Sequence, residues 1–241
     1  MKLLIIRHGD PDYANDTLTE VGKVEADLLA KWLTPRKIDK IYVSPLGRAK
    51  ATAEYTMKAK GMDGTVCDWL REFPAKVTKP NRDDSVAWDW LPADWTKIEE
   101  FFSRTDWSSV PAMTEADVPA IYENVIQNFD ALLAEHGYVR EGNAYRVTKA
   151  NTDTIAFFCH FGLESVLLSR LLNISPMLLW HGTCAAPTSV TTINTEERVE
   201  GVAYFRMAEF GSVAHLTSQG VEPSFSARFC ETFDQKEQRH H

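Results

Sequence analysis

The residues that most constrain this chain lie at its start, where an apolar run ends in Arg7-His8-Gly9. Residues 3–6 are all leucine or isoleucine, and the run is too short for a helix. Such a run is typical of a strand buried on both faces, as in a parallel α/β sheet. Ligands of open α/β sheets bind at the carboxyl ends of strands, and Gly9 allows a sharp turn there. The pattern predicts Arg7 and His8 at a strand tip, although three such residues alone are more typical of a solvated strand end.

Two later segments extend the pattern. A second apolar strand, residues 41–43, runs into Ser44, which we expect to cap a helix that carries Arg48. A third strand over residues 65–69 leads to Glu72. Polar side chains therefore follow each of these strands closely.

The downstream half repeats the arrangement. A fourth strand, residues 154–159, ends at His160, and strands over residues 189–193 and 201–207 are expected to pair through a turn at 194–200. Strands that alternate with helices predict an α/β fold, a three-layer sandwich whose mainly parallel sheet has helices on both faces. The strand tips would then converge on one edge of the sheet.

The first helix is predicted from apolar spacing. Val21, Val24, Leu28 and Trp32 recur at intervals of three and four residues, as on one face of an amphipathic helix. Thr17 or Thr19 is expected to cap it.

The alternation of strands and helices stops between residues 73 and 119. This segment contains four of the seven tryptophans, Trp88, Trp90, Trp95 and Trp107, together with many acidic residues. We interpret it as an inserted cap on a single domain that spans residues 1–241, whose closing residues 239–241 are either native or the remainder of a purification tag.

Composition limits the partners. The 241 residues carry a formal net charge of −8, which argues against nucleic acid and anionic membranes. No stretch is long enough to span a bilayer, and the first apolar run is too short for a signal peptide. The four cysteines are widely spaced, which favours free thiols and a cytoplasmic location. No apolar stripe predicts an oligomeric state.

Taken together and in this order, the motifs at Arg7-His8-Gly9, Ser44 to Thr52, residues 69–72 and His160 resemble the histidine phosphatase superfamily, also called phosphoglycerate-mutase-like. The resemblance runs from residue 1 to about 220. It implies a phosphoglycerate-mutase-like fold and a metal-independent, histidine acid phosphatase-like phosphomonoesterase that acts on a small phosphorylated metabolite.

The resemblance also assigns roles within the site. His8 would be the nucleophile, with His160 and the guanidinium groups of Arg7 and Arg48 as donors to the phosphate. Residue chemistry alone does not choose between the two histidines. Glu72 would be the general acid, a weaker assignment because surface glutamates are common.

Gly9 and Asp10 are lesser candidates for substrate contact. Asp10 stands where relatives often carry Glu or Gln. The sequence departs from the commonest family pattern at Phe161, which separates His160 from Gly162. A helix beginning at Gly162 could still offer backbone amides to an anion. No cluster has the spacing of metal ligands, so neither a metal nor another cofactor is expected.

Two alternatives compete with a phosphatase. A phosphoglycerate mutase must bind a second phosphate and a carboxylate, yet charged residues after Glu72 are mostly acidic, which favours hydrolysis and a neutral or aromatic monophosphate. A non-catalytic module that binds phosphorylated ligands is the other alternative, although it would not need His8 and Glu72.

Overall fold

The computed structural model describes residues 1–80, 82–226 and 230–235, so residues 239–241 lie outside the described ranges. The strands are β1 (Lys2–Arg7), β2 (Pro11–Asp12), β3 (Thr17–Leu18), β4 (Lys40–Val43), β5 (Thr65–Val66), β6 (Lys76–Lys79), β7 (Arg82–Val86), β8 (Tyr138–Glu141), β9 (Ala144–Val147), β10 (Thr154–Cys159), β11 (Val190–Val199) and β12 (Val202–Ser212). The α-helices are α1 (Glu20–Leu33), α2 (Gly47–Lys60), α3 (Pro92–Trp95), α4 (Pro111–Thr114), α5 (Val118–Glu135), α6 (Phe161–Leu172), α7 (Pro176–Gly182) and α8 (Ala214–Thr217). Short 3₁₀-helices cover Asp68–Leu70 and Glu99–Phe102.

The central sheet has eight strands in the order β5-β4-β10-β1-β11-β12-β9-β8. From β5 to β1 all neighbours are parallel, whereas from β1 to β8 all are antiparallel. The sheet is therefore mixed, and the prediction of a mainly parallel sheet is wrong for its second half. Hairpins formed by β8–β9 and β11–β12 build that half, and hairpins need no crossover helix.

The first strand lies in the interior of the sheet. It pairs with β10 on one side and β11 on the other, with Arg7 opposite Cys159. The amide of His8 donates to the Cys159 carbonyl at 3.0 Å, and the amide of Ser44 donates to the Phe158 carbonyl at 2.9 Å. The expected convergence of the three strand tips is thus confirmed.

Side chains of β1 alternate between two cores. Leu4 and Ile6 pack with Leu29 and Leu33 of α1, on the face that α1 and α2 cover. Leu3 and Ile5 belong to the core that α5, α6 and α7 cover. This alternation follows from the period of two in a strand, and it confirms the three-layer arrangement.

The segment of residues 73–119 packs on the second of these cores. It contains the β6–β7 hairpin, which sequence spacing did not indicate, and only short helices. Trp90 and Trp107 are buried in this core, and the Trp107 ring lies 5.7 Å from that of Trp180. These two tryptophans fix the segment to the sheet.

The predicted apolar face of α1 is wrong. Val21 and Val24 are each 52% exposed, whereas Gly22, Glu25 and Leu29 are buried. The rotation of the helix follows a backbone contact, because a Cβ built on Gly22 would lie 2.3 Å from the carbonyl oxygen of Asp10. Thr19 caps α1 as predicted, accepting from the amide of Gly22 at 3.0 Å.

Two strand predictions also need correction. The third strand is only Thr65–Val66, because the chain then turns into the 3₁₀-helix Asp68–Leu70. The β11–β12 hairpin continues through the predicted turn at 194–200 and reverses at Gly201, whose φ of 81° suits glycine. Within the described ranges, no helix combines the length and apolarity needed to cross a bilayer.

We expect Gly22→Ala to lower the free energy of unfolding by roughly 1–3 kcal/mol, because the added methyl group overlaps backbone atoms that cannot rotate away. Denaturant unfolding measures the change. Gly182→Ala is the matched control, since the described residues leave the space within 4 Å of its Cβ open. Equal stabilities of the two variants would contradict the close contact between α1 and the loop after β1.

Candidate active site

His8 follows β1 directly, and its hydrogen bonds assign its tautomer. Nδ1 lies 2.7 Å from the carbonyl oxygen of Gly9, which can only accept, so Nδ1 carries a proton. Nε2 accepts from Nε of Arg48 at 3.3 Å. Nε2 therefore presents a lone pair, as a nucleophilic imidazole must.

The surroundings of His8 keep the ring neutral. The residue is 2% exposed, and burial lowers its pKa well below the usual value. The nearby charges of Arg7 and Arg48 lower the pKa further, whereas the carbonyl of Gly9 acts in the opposite direction. A ring among buried cations has little tendency to take a second proton.

Arg7 is almost fully buried at the tip of β1. Nη1 donates to the carbonyl of Ala185 at 2.6 Å, and Nη2 donates to the carbonyl of Ser226 at 3.1 Å. Its Nε has no hydrogen-bond partner among the described residues. Arg7 thus keeps a donor available, and its contact with the Ser226 carbonyl is one that the sequence did not indicate.

Arg48 occupies the second position of α2. Its Nη1 donates to Oδ1 of Asp16 at 2.8 Å, and its guanidinium lies 5.4 Å from the centre of the Tyr13 ring. The other oxygen of Asp16 accepts from the amide of Gly47 at 2.6 Å. Asp16 therefore fixes both Arg48 and the start of its helix.

Ser44 does not cap α2, contrary to the prediction. The N-cap is Leu46, and the Ser44 hydroxyl instead lies 2.7 Å from Nε2 of His160. His160 is fully buried, with its ring centre 5.0 Å from that of His8. Burial, followed by the charges around it, lowers the pKa of His160 well below its usual value.

The second ring nitrogen of His160, Nδ1, has no partner within the described part of the chain. Buried polar atoms are almost always paired, so an unpaired nitrogen beside His8 indicates a ligand position. Arg7 and His160 thus each retain one unused polar atom.

Glu72 reaches the site from the loop after the 3₁₀-helix rather than from a strand end. Its Oε1 accepts from the amides of Phe73 at 2.9 Å and Leu163 at 3.0 Å, while Oε2 has a 3.4 Å contact with the amide of Gly162. The N-terminus of α6, which begins at Phe161, therefore binds this carboxyl group. Contrary to the expectation from the sequence, the amide of Gly162 is not available to an anionic ligand, because it already contacts Glu72.

Burial raises the pKa of Glu72. The amides of Phe73 and Leu163 oppose this rise, as do the charges of Arg7 and Arg48. A carboxyl group with a raised pKa can give and take a proton closer to neutral pH than an exposed one.

Three of these groups, Arg7, Arg48 and Glu72, lie in the wall of a cavity of about 550 Å³. The segment of residues 73–119 contributes another part of the wall. Its lining side chains are Lys76, Arg82, Val86, Trp88 and Asp89. Two cationic side chains and one carboxylate line the cavity here. The net charge of this wall is therefore positive, although acidic residues outnumber basic ones in the segment as a whole.

Gly9 and Asp10 hold the loop after β1 in place and, like the buried His8 and His160, do not line the cavity. The amide of Gly9 donates to the Thr52 hydroxyl at 2.9 Å. The Asp10 carboxylate accepts from the hydroxyls of Thr19, at 2.7 Å, and Ser226. Burial alone would raise the pKa of Asp10, but these bonds lower it overall.

Glu25 is a site residue that sequence reasoning missed. It is fully buried on α1 and accepts from the amides of Asp10 at 2.8 Å and Ser224 at 3.0 Å. It therefore ties the loop after β1 to the segment that carries Ser226. A glutamate on a polar-looking helix face gives no sequence signal for this role.

The remaining described histidines have structural partners. His215 lies 2.8 Å from the Thr188 hydroxyl, and burial lowers its pKa to about 4. His136 contacts the Tyr42 hydroxyl at 2.9 Å, and His181 accepts from the amide of Trp90 at 3.1 Å. In the part of the chain that the structure describes, no group of three or more His, Cys, Asp or Glu residues is arranged to hold a metal ion.

Comparison with known proteins gives consistent matches. The model of the histidine phosphatase superfamily (branch 1) matches residues 3–206. The chain is 23% identical over 203 residues to the adenosylcobalamin/alpha-ribazole phosphatase of Salmonella typhimurium, covering 75% of this chain and 84% of that protein. These matches confirm the family resemblance inferred from the motifs.

Solved structures confirm the phosphoglycerate-mutase-like fold. Phosphoserine phosphatase from Entamoeba histolytica, in complex with 3-phosphoglyceric acid, is 19% identical with a TM-score of 0.59, covering 89% of this chain and 98% of that chain. Native mycobacterial glucosyl-3-phosphoglycerate phosphatase is 17% identical with a TM-score of 0.54, covering 88% and 98%. At these identities, the similarity establishes the fold alone.

We expect the His8 ring to stay neutral well below pH 6.5, and Arg48→Met to raise its pKa by removing a nearby charge and a donor to Nε2. ¹⁵N NMR of labelled histidine, titrated with pH, measures both effects. Arg36→Met is the control, because it also removes an arginine charge, but Arg36 stacks on Trp32 and is not among the charges that lower the pKa of His8. An unchanged His8 midpoint in Arg48→Met would show that Arg48 does not act on this ring.

Proposed function

Because this chain belongs to the histidine phosphatase superfamily, we propose that it is a metal-independent phosphomonoesterase in which His8 carries the phosphoryl group covalently. The observation that carries the proposal is the neutral, buried His8, whose Nδ1 proton is fixed by Gly9 and whose Nε2 carries no proton and only accepts a long, 3.3 Å hydrogen bond from Nε of Arg48. An imidazole in this state can attack phosphorus at neutral pH.

In the first step, the phosphate oxygens bind the unused Nε of Arg7, the guanidinium of Arg48 and Nδ1 of His160. These groups would stabilise the negative charge on the oxygens of the transferring phosphoryl group, which is the main task of a protein that catalyses phosphoryl transfer. Nε2 of His8 forms the new P–N bond as the bond to the leaving oxygen breaks.

Glu72 gives its proton to that leaving oxygen. Its Oε1 already accepts two amide hydrogen bonds, whereas Oε2 has only the long contact with Gly162, so Oε2 is the oxygen that carries the proton. The amides fix the orientation of the carboxyl group, and its proton passes to the leaving oxygen, which departs as an alcohol.

In the second step, water attacks the phosphohistidine. The ionised Glu72 takes a proton from this water, the P–N bond breaks, and its electron pair returns to Nε2 of His8. Inorganic phosphate then leaves, and the enzyme regains its starting protonation state.

The domain organisation is part of the proposal. Residues 1–241 would form one phosphatase domain, with residues 73–119 as a cap that contacts the rest of a small phosphorylated metabolite. Of the four tryptophans in this segment, Trp88 lines the cavity and so is the candidate for substrate contact. The unpaired Cys67 and Cys159 thiols support a reducing compartment such as the cytoplasm.

Lys76 and Arg82 in the cavity wall give some support to a second function, a phosphoglycerate mutase, which needs cations for additional anionic groups. Turnover of a generic aryl phosphate distinguishes an enzyme from a binding module. Conversion of 3-phosphoglycerate in the presence of its bisphosphate primer would identify a mutase.

The covalent intermediate can be tested directly. Protein quenched during turnover of a ³²P-labelled monophosphate should carry label that is stable in alkali and labile in acid, as expected of phosphohistidine. Mass spectrometry should place it on His8. The label should be lost in His8→Gln and retained in His136→Gln, and label on a serine or aspartate would refute the assignment.

We expect the effect of Glu72→Gln to depend on the leaving group. Loss of the acid should lower kcat/KM for an alkyl phosphate by about 10²–10⁴-fold, and considerably less for an aryl phosphate, whose leaving group needs no proton. Rapid-quench measurement of phosphoenzyme formation isolates this step. Glu99→Gln, an exposed glutamate of the same segment, is the control, and equal losses on both substrates would point to a different acid.

A further inference from the structure

Gly162 lies where three parts of the chain meet. It belongs to the first turn of α6, and its φ is not positive, so its backbone does not require a glycine. Glycine is less favourable than alanine in a helix, by up to about 1 kcal/mol. A Cβ built on Gly162 would lie 2.6 Å from Cη2 and Cζ3 of Trp88 and 2.7 Å from Oε1 of Glu72. The position is therefore glycine because these two side chains leave no room for a methyl group.

The same contacts place the Trp88 ring beside the carboxyl group of Glu72. The ring carbons and Oε1 can be no further apart than the sum of those distances, because both are measured from one point. Oε1 also accepts from the amides of Phe73 and Leu163. This oxygen is thus surrounded by two amides and the edge of an indole ring, whereas Oε2 has only its long contact with Gly162.

The Trp88 ring is held in this position from both ends. The buried Lys79 of β6 donates through Nζ to the carbonyl of Trp88 and, at 2.9 Å, to that of Asp89. The Trp180 ring lies 6.0 Å from the Trp88 ring, and its Nε1 donates to the Gly162 carbonyl at 2.9 Å. The segment of residues 73–119 and the helices behind it therefore both determine where this ring lies.

Several charged or titratable groups of the sheet and its helices also act on Glu72. Burial is the main cause of its raised pKa, and the charges of Arg7 on β1 and Arg48 on α2 act in the opposite direction. The charge of Glu72 in turn raises the pKa of Cys159 on β10 and of Glu164 on α6. These groups lie on elements that do not carry Trp88.

The segment of residues 73–119 adds three charged side chains to the cavity that Glu72 lines, namely Lys76, Arg82 and Asp89. Nη1 of Arg82 lies 3.8 Å from Oδ2 of Asp89. Trp88 itself carries no charge, so its replacement removes none of the charges around Glu72. A changed titration of Glu72 would then report on the access of water rather than on a lost charge.

We propose that Trp88 is a positioning residue that shields the Glu72 carboxyl group from water on the side of Oε1. A carboxylate beside an aromatic ring loses part of the hydration that stabilises its charge, so the protonated form is favoured. The benefit to catalysis rests on the proposed function of Glu72 as general acid, whereas the shielding does not. Oε2 faces no such ring contact and stays able to give its proton to the leaving oxygen.

The decisive measurement is a pH titration of the full chain labelled with ¹³C at the glutamate carboxyl carbon, with the Glu72 resonance assigned by its loss in Glu72→Gln. In Trp88→Leu the midpoint of Glu72 should fall by about 1 pH unit, because water then reaches the ionised carboxylate. Trp88→Phe should give a smaller fall in the same direction, because a phenyl ring keeps some cover but does not extend as far as Cη2 and Cζ3 of the indole.

Trp95→Leu is the matched control. Trp95 belongs to the same segment and stacks on Phe102, with ring centres 5.3 Å apart, but it is not one of the described side chains that line the cavity. Its replacement should lower the melting temperature and leave the Glu72 midpoint unchanged. An unmoved midpoint in folded Trp88→Leu overturns the proposal, as does an equal shift in Trp95→Leu. If Trp88→Leu does not fold, the midpoint in Trp88→Phe decides in the same way.

The kinetic measurement depends on the proposed function and can fail separately. If Glu72 is the general acid, the alkaline limb of kcat/KM for an alkyl phosphate should move to lower pH in Trp88→Leu, by the same amount as the NMR midpoint. A limb that stays in place would assign the proton donor to another residue. A protein without turnover would refute the phosphatase, and in both cases the NMR titration would still decide whether Trp88 shields Glu72.

Discussion

The structure depends on holding two guanidinium groups next to the buried, neutral ring of His8. Arg7 and Arg48 approach His8, and their charges are held by backbone carbonyls in one case and by Asp16 in the other. Removing one partner of such an arrangement leaves an uncompensated charge, which is far more costly than the pair itself. Burial and the same charges keep the His8 ring neutral, which is the state that the proposed attack on phosphorus requires.

The backbone amides at the N-terminus of α6 could bind either of two anionic groups. Amides at a helix start attract anions, and a phosphate or a carboxylate could occupy them. Here the carboxyl group of Glu72 accepts from the amide of Leu163, so in the proposed phosphatase the phosphate oxygens are bound by side chains. The proposed proton donor is thereby separate from the groups proposed to bind the phosphate charge, and each has its own neighbours.

Strand tips were predictable from the sequence because they are local. Apolar runs that end at Arg7-His8 or at His160 define both the strand and the position of its polar tip. The contributions of Ser226, Asp16 and Glu25 were not predictable, because each depends on distant segments that sequence spacing does not relate. The face of α1 was misjudged because the backbone contact at Gly22, rather than the number of apolar side chains, sets the rotation of the helix.

The interior position of β1 has a consequence for folding during synthesis. Leu3 pairs with Ile155 on one side and with Ile193 on the other. A ribosome makes β1 long before either neighbour, so this apolar strand must wait with both edges unpaired until β10 and β11 have emerged. Such an interval exposes a strand to premature association with other chains. Chaperone protection of the nascent first strand would therefore matter more here than in a protein whose early strands pair with each other.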